Sequence, residues 1–455
     1  MENLSLLEIK TALNGEVVNF NEDSVVREVS TDTRTISNGD VFVALKGENF
    51  NGNKFVNLAK EKGAILAIVS EDIDVDIPYI KVEDTLVALG KIAWFYKNKF
   101  NVPMIAVTGS VGKTSTKEVI ASMLAEGFNV HKTDKNFNNE IGLPKTLFNL
   151  NSKHEVSVVE MGMSNFHEIE RLSLMASPSI GVITNIGTAH IENLGSKEGI
   201  LKAKMEITKG FRKGSTLIVN GDDEYLKNLE SNNYKVIKVT VNANGDYNAY
   251  DVCNLGEEGV EFKILFKGKE ETIRVNALGV YNVYNALVAI AIGDMLSMEI
   301  EDMKRGIEKF LPCGMRMKVY EGENNIKIIA DCYNANPESM KSSLEVLKSF
   351  KGSRKIAVLG DMFELGDYSE NGHRSTGIAA RESASMLIAV GNSARFIYEE
   401  AKDYIDSKYF SSKEEAEVYI KNNLKSEDVL LLKASRGMKM ETILDYILKD
   451  TERGN

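Results

Sequence analysis

A chain of 455 residues is too long for one typical core and suggests about three domains. Its composition, 43% hydrophobic and 27% charged, is that of a water-soluble globular protein, and a net charge of −11 argues against a nucleic-acid partner, which needs a basic surface. The three cysteines (Cys253, Cys313, Cys332) are scattered without metal spacing, residues 1–5 carry no signal-peptide pattern, and no apolar run approaches the roughly 20 residues that cross a bilayer, so the expectation is a reducing, cytoplasmic location without membrane insertion.

In chain order, the first 80 or so residues predict a small α/β unit with a strand at 41–45 and a helix around 55–62. An apolar-periodic helix at 85–99 leads past Pro103 to an apolar run, 104–107, that reads as a buried strand. Then comes Thr108-Gly109-Ser110-Val111-Gly112-Lys113-Thr114-Ser115-Thr116, followed by Val119, Ile120, Met123 and Leu124 at helical spacing. Strand, glycine loop, Lys-Thr and helix form the layout of a phosphate cradle. Small residues let backbone N–H groups approach phosphates, and a helix N-terminus adds positive potential. Lys113 supplies a cation, and the Thr114 hydroxyl can ligate Mg²⁺. The common P-loop spacing would place glycine at 107, where Val107 stands. An ordinary glycine turn before a helix is the plainer alternative.

Beyond this loop, short β-branched runs at 156–159, 180–183 and 216–219 alternate with helices, which indicates a parallel sheet. Residues 241–275 look antiparallel, with hairpin signals at Gly256, Gly259 and Gly268, and a helix is expected at 280–295. Leu311-Pro312-Cys313-Gly314 reads as a linker, and strands at 326–330, 355–359, 386–390 and 429–432 predict a second α/β sheet.

In open α/β sheets, ligands gather at the carboxyl ends of strands. Glu160 directly follows one strand, Thr184-Asn185 another with His190 a few residues later, Asp331 a third, and Gly360-Asp361 a fourth. Glu160 and His190 are expected to face the same crevice as Lys113, where they could hold a metal bridging phosphate oxygens. Each also has a bland alternative: a helix cap for the carboxylate, a packing role for the imidazole. If 197–209 is a helix, Glu198, Lys202 and Glu206 form a solvated ion-pair row, while Ile200, Lys204 and Ile207 form the buried face. Buried Lys204 would be pushed toward the neutral amine; a snorkelling ammonium is the alternative that helical spacing favours.

These residues fall into segments that resemble the Mur ligases over essentially the whole chain: Ser30-Thr31-Asp32-Thr33-Arg34, 39–47, 108–116, 138–144, 160–163, 184–190, Ala203-Lys204, 279–286, 315–317, 331–337 and 359–366. The family's own version of the phosphate loop also lacks the first glycine. The resemblance implies an α/β chain of three domains: a small UDP-sugar-binding domain (1–82), a central ATP-binding domain with a P-loop ATPase-like parallel sheet (83–311) and a C-terminal Rossmann-like ligase domain (312–455). Ser30, Asp32, Thr33, Arg34, Lys46 and Gly47 would lie near the uridine diphosphate. Gly109, Ser110, Val111, Gly112, Lys113, Thr114 and Ser115 would hold ATP, with Asn285, Arg316 and Asp331 at its adenosine or phosphates. Thr114, Glu160 and His190 match metal ligands for two Mg²⁺, and Lys204 matches a lysine that is carbamylated, against the snorkelling favoured by spacing alone. Asn334, Asn336, Ser435 and Arg436 are weaker matches on the acceptor side.

Within the family, 138–144 and 331–336 favour the enzyme that joins D-alanyl-D-alanine to UDP-MurNAc-tripeptide through an acyl phosphate. The chain is expected to act as a monomer on these small-molecule substrates. Since an acidic surface gives phosphate-rich substrates no help, local basic pockets must. Rival readings are another amide ligase on this plan, such as the one adding the third peptide residue or folylpolyglutamate synthase, and a slow nucleotide-dependent switch. Two positions depart from the family pattern: His167 stands where glycine is usual, and Asn53 where histidine is common.

Overall fold

The computed structural model describes residues 1–2, 4–14, 16–18 (backbone only), 24–312 and 314–448; Cys313 of the expected linker lies outside them. Three large sheets follow one another along the chain. The first has five strands in the order Glu16–Val18, Tyr79–Lys81, Leu66–Val69, Val41–Val43, Val29–Ser30, parallel except for the first. Its central strands, Val41–Val43 and Leu66–Val69, are buried along their whole length, as apolar strands covered on both faces should be. The helix expected around 55–62 is a short 3-10 turn, Gly52–Phe55, running into Val56–Glu61.

The second sheet has nine strands. Its order is Val130–Lys132, Val156–Glu160, Met104–Thr108, Ile180–Ile183, Thr216–Asn220, Lys235–Thr240, Tyr247–Asn254, Val260–Phe266, Lys269–Val275. The first seven are parallel and the last two antiparallel additions. Lys267 and Gly268 both take positive φ (48° and 81°), the two-residue turn that twists a hairpin the right way. Helix Asn282–Met295 starts two residues after the expected 280, because Gly279 turns the chain at φ 97° and accepts the Asn282 N–H. That helix is buried nearly all round and packs on Lys113–Leu124.

The third sheet runs Lys318–Glu321, Lys327–Ala330, Val429–Lys433, Lys355–Gly360, Met386–Val390, Asp406–Phe410, antiparallel only at the first pair. Both edge strands and Val130–Lys132 fall outside the sequence expectation. They are short and half-exposed, so they lack the apolar runs that mark the central strands.

Helix Thr85–Lys97 joins the first sheet's region to the second. Its Leu89, Ile92, Ala93 and Tyr96 share one core with Leu4, Ile9, Leu143 and Leu172. The Tyr96 hydroxyl accepts from the Glu2 N–H (2.8 Å) and donates to the Leu150 carbonyl (2.7 Å).

The site follows from strand order. From Met104–Thr108 the chain passes to the sheet edge at Val130–Lys132, returns through Val156–Glu160 on one side, and continues to Ile180–Ile183 on the other. This reversal opens a crevice at the carboxyl ends. Register sets Glu160 opposite Val107 and Ile183 opposite Thr108, so the glycine loop, Glu160 and Thr184 emerge side by side.

Candidate active site

The glycine loop is held by the loop that follows Ile180–Ile183. Asn185 Oδ1 accepts from the Val111 N–H (2.9 Å) and its carbonyl from the Ser110 N–H (3.1 Å). The Thr184 hydroxyl donates to the Val111 carbonyl at 2.6 Å, and Ser110 Oγ accepts from the Gly187 N–H at 2.8 Å. The two loops press so close at Gly109 that a Cβ there would sit 1.8 Å from Thr184 Oγ1. Gly112, in the left-handed region at φ 87°, opens helix Lys113–Leu124 without a side chain over its N-terminus. The loop residues and the positive end of the helix therefore face the crevice. Lys113 folds back to donate to the Gly109 carbonyl (2.8 Å). Desolvation draws its ammonium below the usual lysine range, Glu160 partly offsets this, and Arg316 adds to it.

Glu160 is 2% exposed and caps no helix. Its Oε2 accepts from the Thr114 hydroxyl (2.9 Å) and its Oε1 from Asn138 Nδ2 (2.7 Å), while its own N–H donates to Thr133 Oγ1 (3.0 Å). A buried carboxylate is thus fixed between a hydroxyl and a side-chain amide. His190 takes a left-handed backbone (φ 62°) and places Nδ1 2.6 Å from Glu364 Oε2 of the third sheet's region. The approach is off the line of the ring N–H, so the buried Nδ1 has no aligned hydrogen-bond partner. It holds the Glu364 carboxyl below its usual range.

Lys204 lies in helix Lys197–Met205 at 1% exposure, so it does not snorkel. Burial first, then Lys113, lowers its pKa well below the ordinary value. The expected ion-pair row beside it does not form. The α-helix ends at Met205, a 3-10 turn carries on, and Glu206 is buried, accepting from the N–H groups of His167 (2.8 Å) and Glu170 (3.2 Å). Lys202 instead lies over the Phe166 ring, 5.7 Å from its centre. His167, in the left-handed region at φ 69°, is held by that Glu206 contact, which explains how a non-glycine residue keeps this backbone.

At the other end of the crevice, Asn285 Oδ1 accepts from the Thr116 hydroxyl (2.7 Å), and Arg316 stacks on the Tyr333 ring at 4.2 Å. Asp331 accepts from Ser343 Oγ (2.8 Å) and from the buried ammonium of Lys433. Ser110 through Ser115, Glu160, His190, Asn285, Arg316, Asp331, Asn334 and Asn336 line one cleft of about 660 Å³. Gly109, Lys204, Ser435 and Arg436 lie outside its wall. Asn336 caps helix Pro337–Ser349, and Ser435 Oγ accepts from the Phe363 N–H (2.9 Å). Arg436 is exposed and pairs with Glu441 at 2.9 Å. The four weaker candidates therefore divide, two in the cleft and two in structural contacts.

The expected uridine diphosphate set lies on the first sheet's side. Arg34 chelates Asp32 (Nη2 to Oδ2 2.7 Å, Nε to Oδ1 3.0 Å), and that contact, with the Arg34 N–H, holds the Asp32 carboxyl at about 2. Ser30 Oγ accepts from the Asp32 N–H (3.1 Å), and Thr33 lies in the same turn. Lys46 and Gly47 pair with Phe50–Asn51, and Lys46 Nζ is 3.5 Å from Glu71. Buried Asn53 acts locally, and its Nδ2 donates to Asn51 Oδ1 (2.9 Å) and Ser70 Oγ (3.2 Å).

The donor set suits a hard cation with a nucleotide. A hydroxyl and a buried carboxylate share one hydrogen bond beside loop amides and a lysine, which is oxygen-rich chemistry of the kind Mg²⁺ takes. Sequence reasoning missed Asn138 and Thr133, which orient Glu160, and Lys433. The strand-end rule that found Asp331 would have found Lys433, which closes the strand Val429–Lys433.

Family models match three stretches: Mur ligase family, catalytic domain (25–125); Mur ligase middle domain (107–293); and Mur ligase, glutamate ligase domain (315–436). The UDP-N-acetylmuramoyl-tripeptide–D-alanyl-D-alanine ligase of Bacillus subtilis is 39% identical over 438 residues, 94% of each chain. This chain belongs to the Mur ligase family. Among Mur ligase structures, a crystal structure of MurF from Acinetobacter baumannii superposes with TM-score 0.92 at 30% identity over 99% of both chains. That of the Thermotoga maritima MurF ligase in complex with ADP gives 0.86 at 27% identity, over 96% of this chain and all of that one. Among the described residues no helix is long and apolar enough to cross a membrane.

Proposed function

We propose that this Mur ligase joins D-alanyl-D-alanine to UDP-MurNAc-tripeptide at the expense of ATP, yielding the UDP-linked pentapeptide, ADP and phosphate. The observation that carries the reading is the Thr114–Glu160 hydrogen bond of 2.9 Å, buried beside Lys113 at the mouth of the glycine loop.

A carboxylate is a poor electrophile, and its oxygen is a poor leaving group. The terminal carboxylate oxygen of the tripeptide therefore attacks the γ-phosphorus, and the bond to ADP breaks. The dipeptide amine then attacks the acyl carbonyl, phosphate departs with the bonding pair, and the amine proton is released. The loop amides and Lys113 would hold the phosphates and offset the charge that develops on the transferring group. Thr114, Glu160 and His190, with Lys204 as a carbamate, would hold two Mg²⁺, which supply charge neutralisation at the phosphoryl oxygens.

Carbamylation suits Lys204. Only a neutral amine attacks CO₂, releasing one proton as the carbamate forms, and burial beside Lys113 favours the neutral form. Asn285, Arg316 and Asp331 would seat the adenosine and its phosphates, while Asp32, Thr33, Arg34, Ser30, Lys46 and Gly47 would hold the uridine diphosphate. Asn334 and Asn336, in the cleft wall, are the stronger acceptor-side candidates; Ser435 and Arg436 would act through the loops they brace. We assign 1–82 to the UDP-sugar domain, 83–311 to the ATP domain and 312–455 to the ligase domain. The cleft is built from one chain, so a monomer suffices, and we place the enzyme in the cytoplasm with its substrates.

A panel of UDP-linked donors and amine acceptors tests this, read by ADP release and product mass. The expected result is ADP and product in equal amounts only with UDP-MurNAc-tripeptide and D-alanyl-D-alanine. Preference for an amino acid as acceptor, on a shorter UDP-linked donor, would overturn it.

A further inference from the structure

One carboxylate reaches from the third sheet's region to the loop that grips the phosphate cradle. Glu338 lies in the first turn of helix Pro337–Ser349. Asn336 Oδ1 accepts from the Ser339 N–H (2.8 Å), Ser339 Oγ accepts from the Asn336 N–H (3.0 Å), and Pro337 occupies the first turn. The backbone under Glu338 is therefore fixed. Its Oε2 accepts from both the N–H (3.1 Å) and the hydroxyl (2.8 Å) of buried Thr188. Its Oε1 is 3.7 Å from Lys197 Nζ, at the start of the helix that carries Lys204. Thr188 stands between Gly187, whose N–H bonds Ser110 Oγ, and His190. The loop is shaped for this carboxylate: a Cβ on Gly187 would come within 2.9 Å of Glu338 Cδ and 3.0 Å of its Oε2.

We propose that Glu338 is a positioning residue, which holds the 184–190 loop from across the cleft and so fixes His190 and Ser110 at the nucleotide's phosphates. This rests on the ligase reading for its kinetic consequence but not for its structural one. The competing role is a charge at a helix N-terminus. The two roles separate by substitution. Gln keeps an acceptor at full reach and loses the charge, whereas Asp keeps the charge and falls one methylene short of Thr188.

The test is amide hydrogen exchange on the ligand-free chain, followed by kinetics. In E338A and E338D, exchange at the Thr188 amide rises about tenfold, the expected loss for one hydrogen bond, while E338Q stays near the parent and 339–349 is unchanged. The kcat for dipeptide-dependent ADP release follows the same order, down about tenfold or more in E338A, with KM for the UDP-linked donor within twofold of the parent. G187A lowers kcat in the parent but adds nothing in E338A, where the clashing carboxylate is gone. Unchanged Thr188 protection in E338A, or Asp retaining what Gln loses, overturns the proposal. Parent enzyme that releases no ADP with the dipeptide would instead refute the ligase reading, and the exchange measurement would still decide the role of Glu338.

Discussion

The phosphate cleft and the proposed uridine diphosphate surface hold their polar groups in opposite ways. In the cleft, partners come from distant parts of the chain and are buried or half-buried: Thr114 with Glu160, Asn138 with Glu160, Ser110 with Gly187. On the first sheet's side the turn around Asp32 is held by near neighbours on the surface. Arg34 grips Asp32 two residues away, and its side chain is 87% exposed. The cleft owes its shape to parallel register and to the pressure of one loop on another, whereas the exposed set owes its shape to a turn at Asp32 and a short strand pair at Lys46–Gly47. Removing a cleft residue should therefore abolish chemistry, while removing a surface residue should weaken binding and leave chemistry intact.

The largest effects separate the two regions most sharply. Lys113→Ala and Glu160→Ala should each lower dipeptide-dependent phosphate release by about 10³-fold or more, with the folded state retained by circular dichroism. Near-parental turnover in either variant would remove that residue from the mechanism. Lys204→Ala should come next, with a loss of about 10²-fold or more and partial recovery on adding short-chain carboxylic acids, whose carboxylate can replace the carbamate. Full activity without added acid would rule out the carbamate.

On the exposed side, Arg34→Ala should raise KM for the UDP-linked donor about tenfold and leave kcat and melting temperature near the parent's, since exposed pairs add little stability. A fall in kcat without a rise in KM would place Arg34 in the cleft's machinery instead.

The smallest effect is on stability. Buried His131, between Ser157 Oγ and the Thr146 carbonyl, has its pKa lowered by desolvation from 6.5 to about 4. The unfolded chain binds this proton at higher pH than the folded one, so the folded state loses stability as pH falls from 6.5 toward 4. The loss is on the order of 3 kcal/mol and absent above that window. Denaturant midpoints across the window should slope less in His131→Asn. The Asp32 carboxyl, held at about 2 by Arg34, adds no such slope there.

The same contrast governs what could be read from residues alone. Glu160, Asn185, His190 and Asp331 were legible because strand ends in a parallel sheet converge, and apolar strands are easy to find. Lys433 follows the apolar run 429–432 as Glu160 follows 156–159, so the same rule reaches it. Helical spacing put Lys204 on the buried face, but spacing cannot tell how deep that face lies, and the helix ends before Glu206 could join a solvated row. Strands such as Asp406–Phe410 carry too little hydrophobicity to announce themselves. The turn at Asp32 follows Val29–Ser30, a strand of two residues that is too short to announce itself by its apolar residues, so family resemblance pointed to it. Glu338 could not be foreseen at all, since its partner lies 150 residues away on another sheet's loop.

The most direct measurement is single-pot ligation with ATP, Mg²⁺ and UDP-MurNAc-tripeptide, with and without D-alanyl-D-alanine, read by ADP release and mass. The account predicts one ADP per product, a product heavier than the donor by the dipeptide minus one water, and little ADP when the dipeptide is omitted. ADP released at the same rate with or without an amine, and no mass change in the donor, would contradict it.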